Sequence, residues 1–127
     1  MGGGLMARQQ MLLDCQRQMM LANGAANLAH RMEDGKTEDF RPVVKLFNPM
    51  GAATWLLSEL DEDGDTAFGL CDLGMGEPEM GYVLLSELAE IRLNFGLYIE
   101  RDIHFHATKT LSEYAEAARL LGRIEVC

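Results

Sequence analysis

The chain has 127 residues, 48% of them apolar and 24% charged, which is enough material for one packed core and too apolar for a disordered segment. Its net charge of −9 arises in one continuous third, because ten carboxylates and no basic residue lie between Lys45 and Arg92. That balance disfavours direct binding to DNA or RNA, whose electrostatic footprint is a basic patch, and suits a basic protein surface or a cation.

No run approaches the roughly 18 apolar residues needed to cross a bilayer, since Arg8, Asp14 and Arg17 interrupt the Met- and Leu-rich stretch. The same residues break any secretory core, so the chain is expected to be soluble and cytoplasmic with no membrane partner. Cys15, Cys71 and Cys127 are an odd set without CxxC or Cys/His spacing, which argues for reduced thiols over a disulfide framework or a zinc knuckle.

In chain order, Gly2 to Gly4 make a flexible start, and Leu5 to Ala22 read as a helix with a broad apolar stripe at Met6, Leu12, Leu13, Met19 and Met20. Asn23 and Gly24 supply a left-handed stop, and a second short helix runs from Ala25 to Glu33. A polar linker from Lys36 to Pro42 then leads into a different architecture. Val43 to Phe47 is strand-like. Ala53 to Leu60 alternates Trp55, Leu57 and Glu59 on one face against Thr54, Leu56, Ser58 and Leu60 on the other. The turn Asp61 to Asp65, with Asp63 and Gly64 at its centre, predicts an antiparallel hairpin with a strand at Thr66 to Leu73. Gly74 to Gly81 reads as an irregular loop and Tyr82 to Leu85 as a fourth strand. Ser86 opens a helix to about Asn94, Leu97 to Phe105 alternates as a fifth strand, and Ile124 to Val126 suggests a last short one. Between them Thr110, Leu111, Ser112, Glu113 form a capping box for a helix that ends at Gly122.

The expected fold is thus a single α+β domain over 1–127, with a helical N-terminal extension (1–35) and an α+β core (43–127). An antiparallel sheet of about five strands is covered by the N-terminal helices and by the 110–121 helix.

Several blocks of this chain together resemble a bacterial family, domain of unknown function 2958. They are VVKLFNP (Val43 to Pro49), ATWLLSELD (Ala53 to Asp61), FGLCDLGMGEPEMGYV (Phe68 to Val83), LSEL (Leu85 to Leu88) and IERDIHF (Ile99 to Phe105), followed by LSEYAEAARLLGRI. The resemblance spans most of residues 22–124. It implies a setting on plasmids and other mobile elements in bacteria, near antirestriction and conjugation genes, and supplies no reaction and no catalytic residue.

Among candidate sites, Asp61, Asp63, Asp65 and Asp72 fall at positions 1, 3, 5 and 12 of a calcium loop, but Gly64 is misplaced for that template and Asp72 is too short. A solvated hairpin turn is the plainer reading. His104 and His106 share one strand face by period two, and a carboxylate such as Asp72 on a neighbouring strand could complete a metal triad. Glu100 and Asp102 alternate onto the same face as a possible acid and base. Asp72 at a strand end either ties down the free amides of the following loop, or floors a pocket with Glu77, Glu79, Tyr82 and Arg101.

The preferred expectation is a non-enzymatic, cofactor-free accessory protein of a mobile element. Its acidic surface, Asp61, Glu62, Asp63, Asp65, Asp72, Glu77 and Glu79, would engage a basic, nucleic-acid-handling protein, one version being an antirestriction or anti-CRISPR DNA mimic. The alternatives are a small metal-dependent or carboxylate-based hydrolase at Asp72, Glu100, Asp102 and His104, and a structural homodimer through the Met-rich helix.

Overall fold

The computed structural model describes residues 9–126. In chain order these form α1 (Asp14–Glu33), β1 (Val44–Phe47), β2 (Thr54–Leu60), β3 (Thr66–Asp72), β4 (Glu79–Leu84), α2 (Leu85–Glu90), β5 (Glu100–Arg101) and α3 (Leu111–Leu121). The strands make one antiparallel sheet in the order β4-β3-β2-β1-β5.

The period-two pattern of the strands supplies apolar side chains to both faces of the sheet, and each face is covered. On one side Val44, Leu46, Trp55, Leu57, Leu60 and Ala67 pack with Leu12 and Met20 of the N-terminal segment and with Leu85 and Leu88 of α2. On the other, Leu56 and Leu70 pack under Leu111, Tyr114, Ala115 and Ala118 of α3. The result is a three-layer α+β domain. The segment before residue 35 is one of its layers, since Leu12 and Met20 are core residues.

The expected break at Asn23 and Gly24 does not occur: α1 is continuous from Asp14 to Glu33. Gly24 is buried in mid-helix because the β2 backbone passes there, and a Cβ built on it would lie 2.3 Å from the Leu60 carbonyl oxygen. Asn23 donates through Nδ2 to the Ser58 carbonyl at 2.9 Å. Beside it, Asn27 donates to the Glu38 carbonyl at 3.0 Å and to Glu59 Oε2 at 2.9 Å, and accepts from the Glu38 amide at 2.7 Å. Pairing of β1 with β2 ends at Val44 and Leu57, so α1 covers the edge of β2 that β1 does not reach, while β3 continues to pair along the other edge. The predicted start at Leu5 falls partly on residues 1–8, outside the described residues, and residues 9–13 are not helical.

β2 departs from simple alternation. Leu57 faces Gly69 and Glu59 faces Phe68, which leaves Ser58 as the extra residue of a β-bulge. Leu60 therefore rejoins Trp55 and Leu57 on the α1 side, and Glu59 moves to the face of Leu56, opposite to the alternation expected from sequence.

Other boundaries shift for identifiable reasons. β4 begins at Glu79, inside the expected glycine loop, because Glu79 and Met80 find partners in Cys71 and Leu70. α2 stops at Glu90, and residues 92–98 form a small turn closed by the Arg92–Tyr98 bridge. The fifth strand shrinks to two residues, and no strand forms at 124–126. α3 matches its sequence signals: the Glu113 amide bonds Thr110 Oγ1, Glu113 Oε1 accepts from the Thr110 amide at 2.8 Å, and Gly122 ends the helix at φ 76°.

Candidate functional site

β3 is seven residues long, so its two ends lie about 20 Å apart at roughly 3.3 Å per residue. The β2–β3 turn carries Asp61, Glu62, Asp63 and Asp65 at one end; Asp72, Glu77 and Glu79 lie at the other. The seven expected binding carboxylates thus divide into two groups.

Three of them are engaged by the chain's own amides. Asp63 Oδ1 accepts from the amides of Asp65 (2.8 Å) and Thr66 (2.9 Å), and its Oδ2 from Thr66 Oγ1 (2.7 Å). The Thr66 amide and hydroxyl hold its pKa below the ordinary carboxylate value. Asp65 serves as a cap for α2 from outside the helix, accepting from the Ser86 amide at 2.8 Å and the Ser86 hydroxyl at 2.6 Å. Asp72, only 2% exposed, accepts from the Gly74 amide at 2.8 Å and the Ile124 amide at 3.0 Å. It ties the glycine loop and the segment after α3 to the end of β3, the structural alternative of the two expected for it. Because Asp65 points to α2 and Asp72 sits at the far end of β3, the four carboxylates of the calcium template do not converge.

Asp72, Lys45 and Arg123 line a cleft of about 500 Å³ at that far end, floored by the backbones of Gly74, Gly76 and Gly122. Tyr82 and Arg101, expected beside Asp72, are not part of it. Lys45 is held across from Asp102 at 3.3 Å, and Asp102 also accepts from the His104 amide at 2.9 Å. Burial pushes the Asp102 pKa up, but the His104 amide and Lys45 outweigh it and leave the pKa lowered.

His104 and His106 are exposed in a turn beyond β5. With β5 three strands from β3, Asp72 lies on the order of 14 Å across the sheet from that strand. The His pair and Asp72 do not meet, and neither do the four residues of the hydrolase alternative. Among the described residues no group of three or more His, Cys, Asp or Glu could hold a metal ion.

The hairpin end holds a larger groove than that cleft. Leu21, Gly24, Ala25, Leu28 and Arg31 recur at three- and four-residue spacing along one face of α1, and opposite them stand Asp61, Glu62, Asp63 and Tyr82. Together they line a groove of about 730 Å³. Its carboxylates outnumber its single guanidinium, and the carboxylates of Asp61 and Glu62 are exposed with no hydrogen bond or ion pair among the described residues. Leu28 is 48% and Tyr82 60% exposed. Glu59, on the other face of the sheet, is buried, and desolvation raises its pKa although the Asn27 amide and the Arg31 charge act the other way. The composition of the groove is complementary to a cationic head at the hairpin with an apolar stem along the helix. Asn23 and Gly24, which locally signal a helix stop, hide the α1 stripe in the sequence; the spacing of Leu21, Ala25 and Leu28 is the signal that reveals it.

Fold and groove together describe a small three-layer α+β domain with an acidic, partly apolar groove beside its β2–β3 turn. The chain belongs to the family described as protein of unknown function DUF2958, whose profile matches residues 11–125. No curated protein and no solved structure matches the chain.

Proposed function

We propose that this protein is a non-enzymatic binding protein whose acidic surface engages a basic surface of another protein in the cytoplasm of a bacterium carrying a mobile element. The observation that carries the reading is the groove at the β2–β3 turn, where the unpaired carboxylates of Asp61 and Glu62 stand beside exposed Leu28 and Tyr82. Lysine and arginine have the matching form, a charged head on an apolar stem. No basic residue lies between Lys45 and Arg92, and the base that hydrogen-bonds the turn among the described residues, Arg17 of α1, donates to the Gly64 carbonyl at 2.8 Å and is not part of the groove lining.

The DNA-mimic version asks for free carboxylates strung along one face. Asp63, Asp65 and Asp72 are bonded to the chain's own amides, and the group is split between two ends of the sheet, so engagement of a basic protein without mimicry is preferred. A homodimer through the N-terminal stripe is less favoured, since Leu12 and Met20 are already buried in their own core.

The test is an NMR titration with a lysine–glycine repeat peptide at low salt. Shifts should gather at residues 61–63, Leu28 and Tyr82, and fade as added salt shortens the screening length to about 8 Å at physiological strength. The double variant Asp61→Lys, Glu62→Lys should remove them. Absence of binding at low salt, or binding that the double variant leaves unchanged, overturns the reading.

A further inference from the structure

Among the described residues, backbone hydrogen-bonding groups of the sheet run out of strand partners at three places, two of them closed by side-chain amides. At the β5 edge, Gln9 Oε1 accepts from the Arg101 amide at 2.6 Å and its Nε2 donates to the Arg101 carbonyl at 3.0 Å, so one glutamine imitates a further strand. Along β2 beyond Leu57, Asn23 bonds the Ser58 carbonyl, and Asn27 braces the Glu59 side chain and the 38 backbone. The third place is the outer edge of β4. It is six residues long, and among the described residues no strand or side chain pairs with it.

Edge strands are ordinarily guarded by lysine, proline, a bulge or a cover. β4 has none of these within it, and its one charged residue, Glu79, stands at its first position. Its pairing with β3 is regular through all six residues, and Met80, Tyr82 and Leu84 stand exposed on one face at 40%, 60% and 36%. The Phe68 ring, 5.0 Å from that of Tyr82, supports Tyr82 from the neighbouring strand. The edge is therefore long, flat and apolar on one side, the form that accepts an added strand.

Charge selects the occupant. Glu77 and Glu79 lie at the start of β4, and Glu87 lies in the first turn of α2 at its end. A second copy of this chain would bring the same carboxylates against themselves, whereas a segment alternating basic with apolar residues would place cations among them and its apolar side chains on Met80 and Tyr82. We propose that the outer edge of β4 takes up an extended segment of this kind, from another protein, as a sixth strand of the sheet. The proposal rests on the acidic-binding reading above and specifies how the partner is held.

The experiment compares two probes of equal charge, an alternating lysine–valine peptide and the lysine–glycine repeat, by hydrogen exchange of the labelled protein. The alternating peptide alone should slow exchange at outward-facing amides within 79–84, and the double variant Met80→Lys, Tyr82→Lys should weaken its binding at least tenfold while the wild-type fold is kept, as judged by circular dichroism. If both peptides bind but 79–84 exchange is unchanged, strand addition is wrong and the acidic-binding reading stands. Should neither bind, both are wrong. Slowed exchange at 79–84 that grows with protein concentration in the absence of peptide assigns the edge to a second copy and overturns the proposal.

Discussion

At the scale of single residues, Phe95 is the least expected feature. It adopts φ 62° and ψ 24° at the tip of the 92–98 turn, beside Gly96 at φ 72°, and is 89% exposed. A turn with two consecutive positive φ values suits Asn or Gly at its first centre, and a bulky residue there is strained by about 1–2 kcal/mol. Phe95→Asn should accordingly stabilise the protein by about 0.5–1 kcal/mol in urea unfolding; an unchanged or lowered midpoint would show that the ring makes a compensating contact. Asp63, Asp65 and Asp72 teach the complementary point. Sequence places all three on the acidic surface, with a structural tie to the following loop as the other reading of Asp72, and their oxygens are taken by amides at 2.8 to 3.0 Å. Asx-type turns made Asp63 partly legible, but no local rule could have paired Asp65 with Ser86 or Asp72 with Ile124.

At the scale of elements, α1 and β2 explain one another. A glycine in mid-helix costs about 1 kcal/mol relative to alanine, so Gly24→Ala would stabilise an isolated helix. Here the added Cβ meets the Leu60 carbonyl oxygen at 2.3 Å, and backbone on both sides leaves little room to yield. The substitution is predicted to destabilise by about 1–3 kcal/mol, read from the urea midpoint; a gain would mean that α1 can lift off β2 without loss. The bulge at Ser58 belongs to the same interface, since it exposes the carbonyl that Asn23 bonds and turns Leu60 toward the helix. By contrast α3 was readable from end to end, because Thr110, Glu113 and Gly122 are local signals that tertiary contacts did not override.

At the scale of the whole molecule, stability should respond to pH with two opposed signs. The pKa values of Asp39, Asp63, Asp102 and Glu113 are lowered in the folded state. For Asp39 burial works against the shift, and bonds from Ser112 and Thr110 prevail. The stability these four contribute is present above their ordinary values near 4 and is lost as pH falls through the lowered ones. Glu59 is raised by burial, so its contribution is full below its ordinary value and is lost as pH rises through the raised one. The urea midpoint should climb out of the acid range and then decline modestly; Glu59→Gln, which keeps an acceptor for Asn27, should abolish the decline. If the decline persists in that variant, the burial of Glu59 is not its source.

From the sequence alone came the α+β class, the β2–β3 hairpin, the bounds and caps of α3, and an acidic third without a single base, because each depends on periodicity, capping or composition within a few residues. The buried face of α3 is legible only in part, since Leu121 is 50% exposed and Tyr114 is buried in its place. Tertiary structure alone decided that Asn23 and Gly24 lie inside a helix, that Ser58 is a bulge, and that the acidic residues fall at opposite ends of the sheet with only some of them free. Those outcomes turn on groups far apart in the chain, such as Asn23 and the Ser58 carbonyl 35 residues on. A backbone hydrogen bond left unmet on β2 outweighs the local preference of Asn-Gly to end a helix, and only the folded sheet creates that unmet group.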